Sequence, residues 1–325
     1  MINVNEIDLD PMGIWRLGIF TGIFSILVLF FKRFNSRVTL ELTVYFLFLA
    51  YCVFSIEFPF CRFGIYQAAF ASSAGRTCIE LIFVPFAFIL SDNKNFVKYF
   101  TYFIAANTAS IWILKCGIML QPSFDCSLAA IFLPFAPIWL IFFVLVTMLS
   151  HHGSTALLIV AAEVFAFCLK DRKVRIYTTY VMPFIVVLGL IRFKDLSAGA
   201  HSRIDAWTEF MMVWWHQGWI VRAIGFGPGS FPCISILNYP GKGELFIQMH
   251  SDWLQFIFEY GILGFSLILS VLIKSIKECW NDTPMLAALF GCAAFATTYH
   301  PMRFMPTMIL VTYIFWRALN KKAQE

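Results

Sequence analysis

The sequence predicts an all-α fold: a polytopic integral membrane protein of about ten transmembrane helices, with room for eleven or twelve, and one large extracytoplasmic loop. Three observations carry this prediction. Of the 325 residues, 60% are hydrophobic and 13% charged, where a soluble domain carries about a quarter charged residues. Mean hydropathy is +0.77, more apolar surface than a water-soluble fold of this length can hide. Apolar runs recur along the chain, many close to the roughly 20 residues that a helix needs to cross a bilayer. Disorder, a coiled coil and a collagen-like fibre are excluded by the same composition.

The apolar runs, in order, are Trp15–Phe31, Val38–Ile56, Thr77–Leu90, Phe96–Met119, Leu128–Leu149, Ser154–Leu169 and Ile176–Ile191. A break at Arg192–Ser251 follows, too polar and too rich in Gly and Pro to span. Trp253–Ile273, Pro284–Tyr299 and Phe304–Leu319 complete the set. The chain therefore divides into N-terminal helices (1–191), an extracytoplasmic loop with an interfacial helix (192–251) and C-terminal helices (252–325). The acidic stretch Met1–Asp10 does not read as a cleavable signal peptide. No internal repeat is visible.

Lys and Arg in short loops set the orientation, because they stay cytoplasmic. Lys274 and Lys277, the C-terminal Arg317, Lys321 and Lys322, and the group Lys170, Arg172, Lys173 and Arg175 agree with one another. They put 192–251, His151–Gly153 and His300–Arg303 outside. Strict alternation back from Lys170 then places Lys32, Arg33, Arg37, Lys94 and Lys98 outside as well, against the rule. The conflict lies between Phe58 and Ser150, where Thr77–Leu90 is short and Leu128–Leu149 contains Pro134 and Pro137.

The long loop carries most of the chemistry. In Arg203–Trp219, Ile204, Trp207, Met211, Trp214 and Trp215 recur at helical spacing, the pattern of a helix lying at a membrane surface. Arg203, at its start, presents a planar fork of donors suited to a phosphate. Gly225-Phe226-Gly227-Pro228-Gly229-Ser230-Phe231 reads as a tight turn. It is neither a nucleotide-phosphate loop, since no GK[ST] follows, nor a dinucleotide fingerprint. Next, His250 stands just outside a span capped by Ser251 or Asp252. Asp252, Gln255 and Glu259 share one face below it, with Glu259 about 10 Å deeper at about 1.5 Å rise per residue. An ionisable residue at that depth is a functional candidate. Gly261 and Gly264 allow close helix packing.

Other features carry less. Nine cysteines are scattered, without the CxxC or Cys/His spacing of a metal site, so neither a metal nor another cofactor is expected. The pair His151-His152 reads as interfacial. A net charge of +5 with no long basic cluster argues against nucleic-acid binding.

The order Arg203…Trp207, then Gly225–Phe231, then His250-Ser251-Asp252-Trp253-Leu254-Gln255…Glu259-Tyr260-Gly261-Ile262-Leu263-Gly264 resembles the O-antigen ligase and O-antigen polymerase family of bacterial inner-membrane proteins. The match covers Ser202 to Phe265. The resemblance implies a metal-independent, inverting glycosyltransferase acting at the periplasmic face. Its donor would be a glycan on an undecaprenyl-diphosphate carrier, and its acceptor a saccharide or lipid A–core. The family's loop histidine maps onto His250 and its loop arginine onto Arg203, as catalytic residues. Arg222, Arg303, Gly227, Gly229, Asp252 and Glu259 are the accompanying substrate-binding candidates. Family members often carry Ser-Arg-Gly near the point where this chain has His151-His152-Gly153-Ser154. Two other classes compete with this reading. A transporter or flippase for a lipid-linked saccharide would carry polar residues near the membrane midplane, which reads as nearly clean here. A non-catalytic scaffold of a polysaccharide assembly complex would tolerate loss of both His250 and Arg203.

Overall fold

The computed structural model describes residues 20–28, 39–57, 77, 80–91, 95–114, 122–150, 154–174, 176, 193–231, 234, 249–298 and 305–320. Among them the fold is all-α, with no strand. The helices are α1 (Thr39–Glu57), α2 (Phe83–Leu90), α3 (Phe96–Leu114), α4 (Pro122–Ile131), α5 (Ile138–Ser150) and α6 (Ser154–Lys170). They continue as α7 (Phe193–Trp215), α8 (Trp219–Ile224), α9 (Asp252–Glu278), α10 (Thr283–Thr298) and α11 (Met305–Asn320). By length and composition α9 alone among the described helices can cross a membrane unaided; segments of α1, α5 and α10 are apolar but shorter. The expected span Ile176–Ile191 lies almost wholly outside the described residues.

Two compact units divide the chain. The first comprises Met1–Ile89, Ile204–Lys274 and His300–Thr312; the second comprises Leu90–Arg203, Ser275–Tyr299 and Tyr313–Glu325.

In the first unit, α1 and α9 lie antiparallel. At one end Lys274 Nζ lies 2.8 Å from Glu41 Oε1 and 2.9 Å from Oε2. At the other, Phe48 and Tyr51 pack their rings on Tyr260, at 4.7 and 6.0 Å between centroids. The far part of α7 folds over a separate aromatic cluster of Phe210, Trp214, Phe226, Phe231 and Phe258. This corrects the expected single face of the interfacial helix. Trp207, Met211 and Trp214 do pack on the cluster, together with Phe210, whereas Ile204 and Trp215 face outward. Successive helical residues are about 100° apart, so Trp214 and Trp215 cannot share a narrow stripe. The helix ends where side chains satisfy its last carbonyls: His216 Nδ1 donates to Met212 and Gln217 Nε2 to Val213.

In the second unit, α6 and α10 form the main helix pair, also antiparallel. Thr298 Oγ1 meets Thr155 Oγ1 at 3.2 Å at one end, and the Lys170 ammonium sits over the Trp280 ring at the other. The expected span Leu128–Leu149 is not one helix. α4 gives way to a 3₁₀ turn at Leu133–Phe135, and α5 starts afresh after Pro137. Pro134 and Pro137 supply no backbone N–H, so a single helix cannot run through them. Trp112 Nε1 donates to Thr147 Oγ1 at 2.7 Å, bringing the C-terminal ends of α3 and α5 together. Ionisable side chains also lie buried within these apolar helices, where the sequence reads as nearly clean. Glu163 is buried in the middle of α6, with Oε1 2.8 Å from where a side chain on Gly291 would begin; Asp125 is buried in α4.

Removing Lys274 isolates a buried carboxylate. Lys274→Met should cost about 2–3 kcal/mol, toward the lower end for a buried pair because Lys274 keeps 27% exposure. The double variant Glu41→Leu/Lys274→Met should recover most of that loss in thermal denaturation of the purified full chain.

Candidate functional site

The candidate site lies in the first unit, where α7, the Gly225–Phe231 turn and the start of α9 meet. It is built on a fault in α9. At Gly261 the backbone leaves helical geometry (φ 66°, ψ −172°). In an unbroken helix, the carbonyls of Phe258 and Glu259 would accept from residues four positions on. Here Phe226 N–H donates to the Phe258 carbonyl and Gly227 N–H to that of Glu259, both at 2.9 Å. The turn thus serves as hydrogen-bond partner to the broken helix.

This splice admits no side chain at its two crossing points. A Cβ on Gly225 (φ 80°) would run into the Glu259 carbonyl and Tyr260 nitrogen; one on Gly261 would run into the Ala223 carbonyl and Ile224 nitrogen. The two glycines, thirty-six positions apart in sequence, answer one steric demand. From α1, the Tyr51 hydroxyl donates to the Ile224 carbonyl at 2.9 Å and fixes the end of α8 beside them.

Glu259 is fully buried, and it holds the turn from below. Its Oε2 accepts the Gly229 N–H at 3.0 Å and its Oε1 accepts Gln255 Nε2 at 2.9 Å. A buried carboxylate with two such donors is a structural post. Asp252 and Gln255 are buried on the same stretch of α9, and the Ser251 hydroxyl caps the helix, accepting from Leu254 N–H at 3.5 Å.

His250 sits at the head of this column. Its backbone is left-handed (φ 52°), the one such non-glycine position among the described residues. The strain is held from outside: the Trp207 indole N–H donates to the carbonyl of the preceding residue, Met249, which is buried in the aromatic cluster. The imidazole is half-buried with Nδ1 turned from solvent. Backbone strain at a polar, ionisable residue is a mark of functional sites, because the surroundings must hold it in place.

The remaining candidates fall elsewhere. Arg203 belongs to the second unit, where Nη1 donates to the Thr298 carbonyl at 3.1 Å, on the last turn of α10. That contact uses one of the guanidinium's five donors. Arg222 lies on α8 with its guanidinium 5.4 Å from the Trp215 ring centroid. Arg303, His151 and His152 lie outside the described residues. Among those residues, no three His, Cys, Asp or Glu side chains are grouped where they could hold a metal.

Sequence reasoning missed Tyr51 and Glu163. Nothing in the apolar run around Tyr51 marks its hydroxyl for a carbonyl more than 170 positions away. Glu163 carried a usable signal, a lone acid amid seventeen otherwise mostly apolar residues of α6.

No protein-family model matches the chain, and no curated protein matches it.

The splice makes a sharp comparison. Gly225→Ala and Gly261→Ala should each cost more than about 3 kcal/mol, because backbone rather than a flexible side-chain tip stands in the way. Gly218→Ala, with open space around it, should change stability by less than about 0.5 kcal/mol. Thermal melting with monodispersity checked by size exclusion reads all three.

Proposed function

We propose that this chain is a polytopic membrane glycosyltransferase of the O-antigen ligase and polymerase kind. It would move a glycan from an undecaprenyl-diphosphate carrier onto a saccharide or lipid A–core acceptor at the periplasmic face of a bacterial inner membrane. The observation that supports this best is the strained His250, held by Trp207 at the head of a buried polar column whose foot, Glu259, carries the glycine turn. Trp207, the glycine turn and the start of α9, all within segments picked from the sequence for one resemblance, thus share one hydrogen-bonded network, which Arg203 does not join.

In the proposed reaction the acceptor hydroxyl oxygen attacks the anomeric carbon, and the bond from that carbon to the diphosphate oxygen breaks. The hydroxyl proton passes to the His250 imidazole, a side chain suited to general-base work near neutrality. The electron pair leaves on the polyprenyl diphosphate. The resemblance alone assigns the developing charge to Arg203. Glu259 acts as a positioning residue, with both oxygens engaged inside the chain.

The antiparallel pairs also support a membrane topology. The Lys274 end of α9 and the start of α1 share a level, which supports a cytoplasmic start for α1. Counted as two crossings, the halves of Leu128–Leu149 either side of the prolines raise the expected ten to eleven. On that count the basic groups at Lys32–Arg37, Lys94–Lys98, Lys170–Arg175 and Lys274–Lys277 all read as cytoplasmic, as the positive-inside rule expects. α4 with its 3₁₀ turn is short for a crossing, but its described side chains are nearly all buried, and protein-enclosed segments need not match the bilayer's thickness. A reporter fused after Gln121 should read as periplasmic and one fused after Ala136 as cytoplasmic; the same side at both would remove the extra crossing.

A transporter for the same class of lipid-linked saccharide is the second reading, favoured by Glu163 and Asp125 buried in apolar helices. His250→Asn separates the two. Asn tolerates left-handed backbone, so stability should stay within about 1 kcal/mol of wild type. Glycan transfer by the purified protein onto an acceptor should fall about 10²–10⁴-fold. Unchanged transfer, read on gels of the product polysaccharide, would remove His250 from the chemistry; a wild-type chain without transfer that still moves the lipid-linked glycan across vesicles would favour transport.

A further inference from the structure

The elbow between α7 and α8 presents an unusual surface. Trp219 is 73% exposed, Trp215 57% and Ile220 49%, although tryptophan is among the costliest side chains to leave in water. Arg222 stands among them, stacked on Trp215, with its Nε buried and without a hydrogen-bond acceptor. No carboxylate pairs with this guanidinium among the described residues.

The depth of the elbow follows from contacts within the first unit. The last residues of α8, Ala223 and Ile224, press on Gly261 at the break in α9. The next two residues of α9, Ile262 and Leu263, are about half exposed, as are Leu269 and Ile273 further along to a lesser degree. The end of α8 therefore lies at the break in α9, more than two turns below His250. From that level the long apolar stem of an arginine lets its charged head rise to the boundary between acyl chains and headgroups, where exposed indoles also settle.

We propose that the Trp215–Trp219–Ile220–Arg222 elbow binds a bilayer glycerophospholipid of anionic headgroup. The lipid phosphate takes the open guanidinium donors of Arg222, and an acyl chain lies along Trp219 and Ile220. Trp215 braces the guanidinium by cation–π contact, so that its planar fork is pre-set for a phosphodiester. The inference rests on the membrane reading of the chain but not on glycan transfer. It also gives Arg222 an occupant other than the donor diphosphate that the sequence suggested.

The test uses the purified full chain in mild detergent with phosphatidylglycerol or phosphatidylcholine added, and reads bound lipid by native mass spectrometry. Wild type should retain phosphatidylglycerol at least about tenfold more tightly than phosphatidylcholine. Arg222→Gln should lose that preference, Arg222→Lys should keep part of it, and Trp219→Ala should weaken retention of both lipids. Melting temperatures within about 2 °C of wild type would establish that the variants fold, and the lysine variant keeps the comparison readable if the glutamine variant does not. Equal retention of phosphatidylglycerol by wild type and Arg222→Gln would overturn the proposal. So would displacement of the lipid by an equimolar polyprenyl diphosphate, which would return the elbow to the donor. Loss of glycan transfer with lipid retention intact would count against the enzyme reading alone.

Discussion

Everything at the candidate site depends on a broken helix. α9 abandons helical geometry at Gly261, and the carbonyls of Phe258 and Glu259 accept N–H groups from a turn in another part of the chain. A break in an apolar helix is costly if its carbonyls are left bare, all the more where no water is at hand. The Gly225–Phe231 turn removes that cost, and the turn itself takes its shape from the break. Neither half has a reason to exist without the other. The close approach leaves no room for a Cβ on either side, which is why glycine stands at both 225 and 261.

The rest of the site is arranged around this splice. Glu259 lies within the last unbroken stretch before the kink, so its carboxylate reaches the Gly229 N–H on the same turn that its own carbonyl engages. Tyr51 steadies the end of α8 from the first described long helix. The aromatic cluster of Phe210, Phe226, Phe231 and Phe258 closes round the turn and connects it to α7, from which Trp207 reaches Met249. The left-handed His250 is thereby over-determined: a buried residue pinned by an indole precedes it and a capped helix follows it. A strained backbone of this kind persists only when its neighbours cannot relax.

The second unit answers a different problem, that of placing charge in apolar helices. At its helix ends, charged and polar groups meet partners: Lys170 on Trp280, Arg203 on the Thr298 carbonyl, Thr155 on Thr298. In its middle, Glu163 lies against Gly291, where the absence of a side chain makes room for a carboxyl group. The ends account for the orientation of α6 and α10; the middle is the part of the chain whose chemistry the proposed transfer does not use.

Composition and patterning by themselves determined the helical class, the approximate positions of the apolar segments and the loop in which the candidate site lies. They also singled out Arg203, His250, Gly227, Gly229 and Glu259, because glycine-rich turns and acids at depth in an apolar run are chemically conspicuous in one dimension. Which glycine faces which backbone, that Glu259 supports the turn, that Tyr51 belongs with Ile224 and that His250 is left-handed were decided only in three dimensions. So were the split of Leu128–Leu149 at its prolines and the divergence of Trp214 from Trp215. The physical reason is common to all of these. Local propensity and hydropathy act through neighbours a few positions apart, whereas a backbone carbonyl freed by a break in one helix can be satisfied by any N–H that the folded chain brings to it.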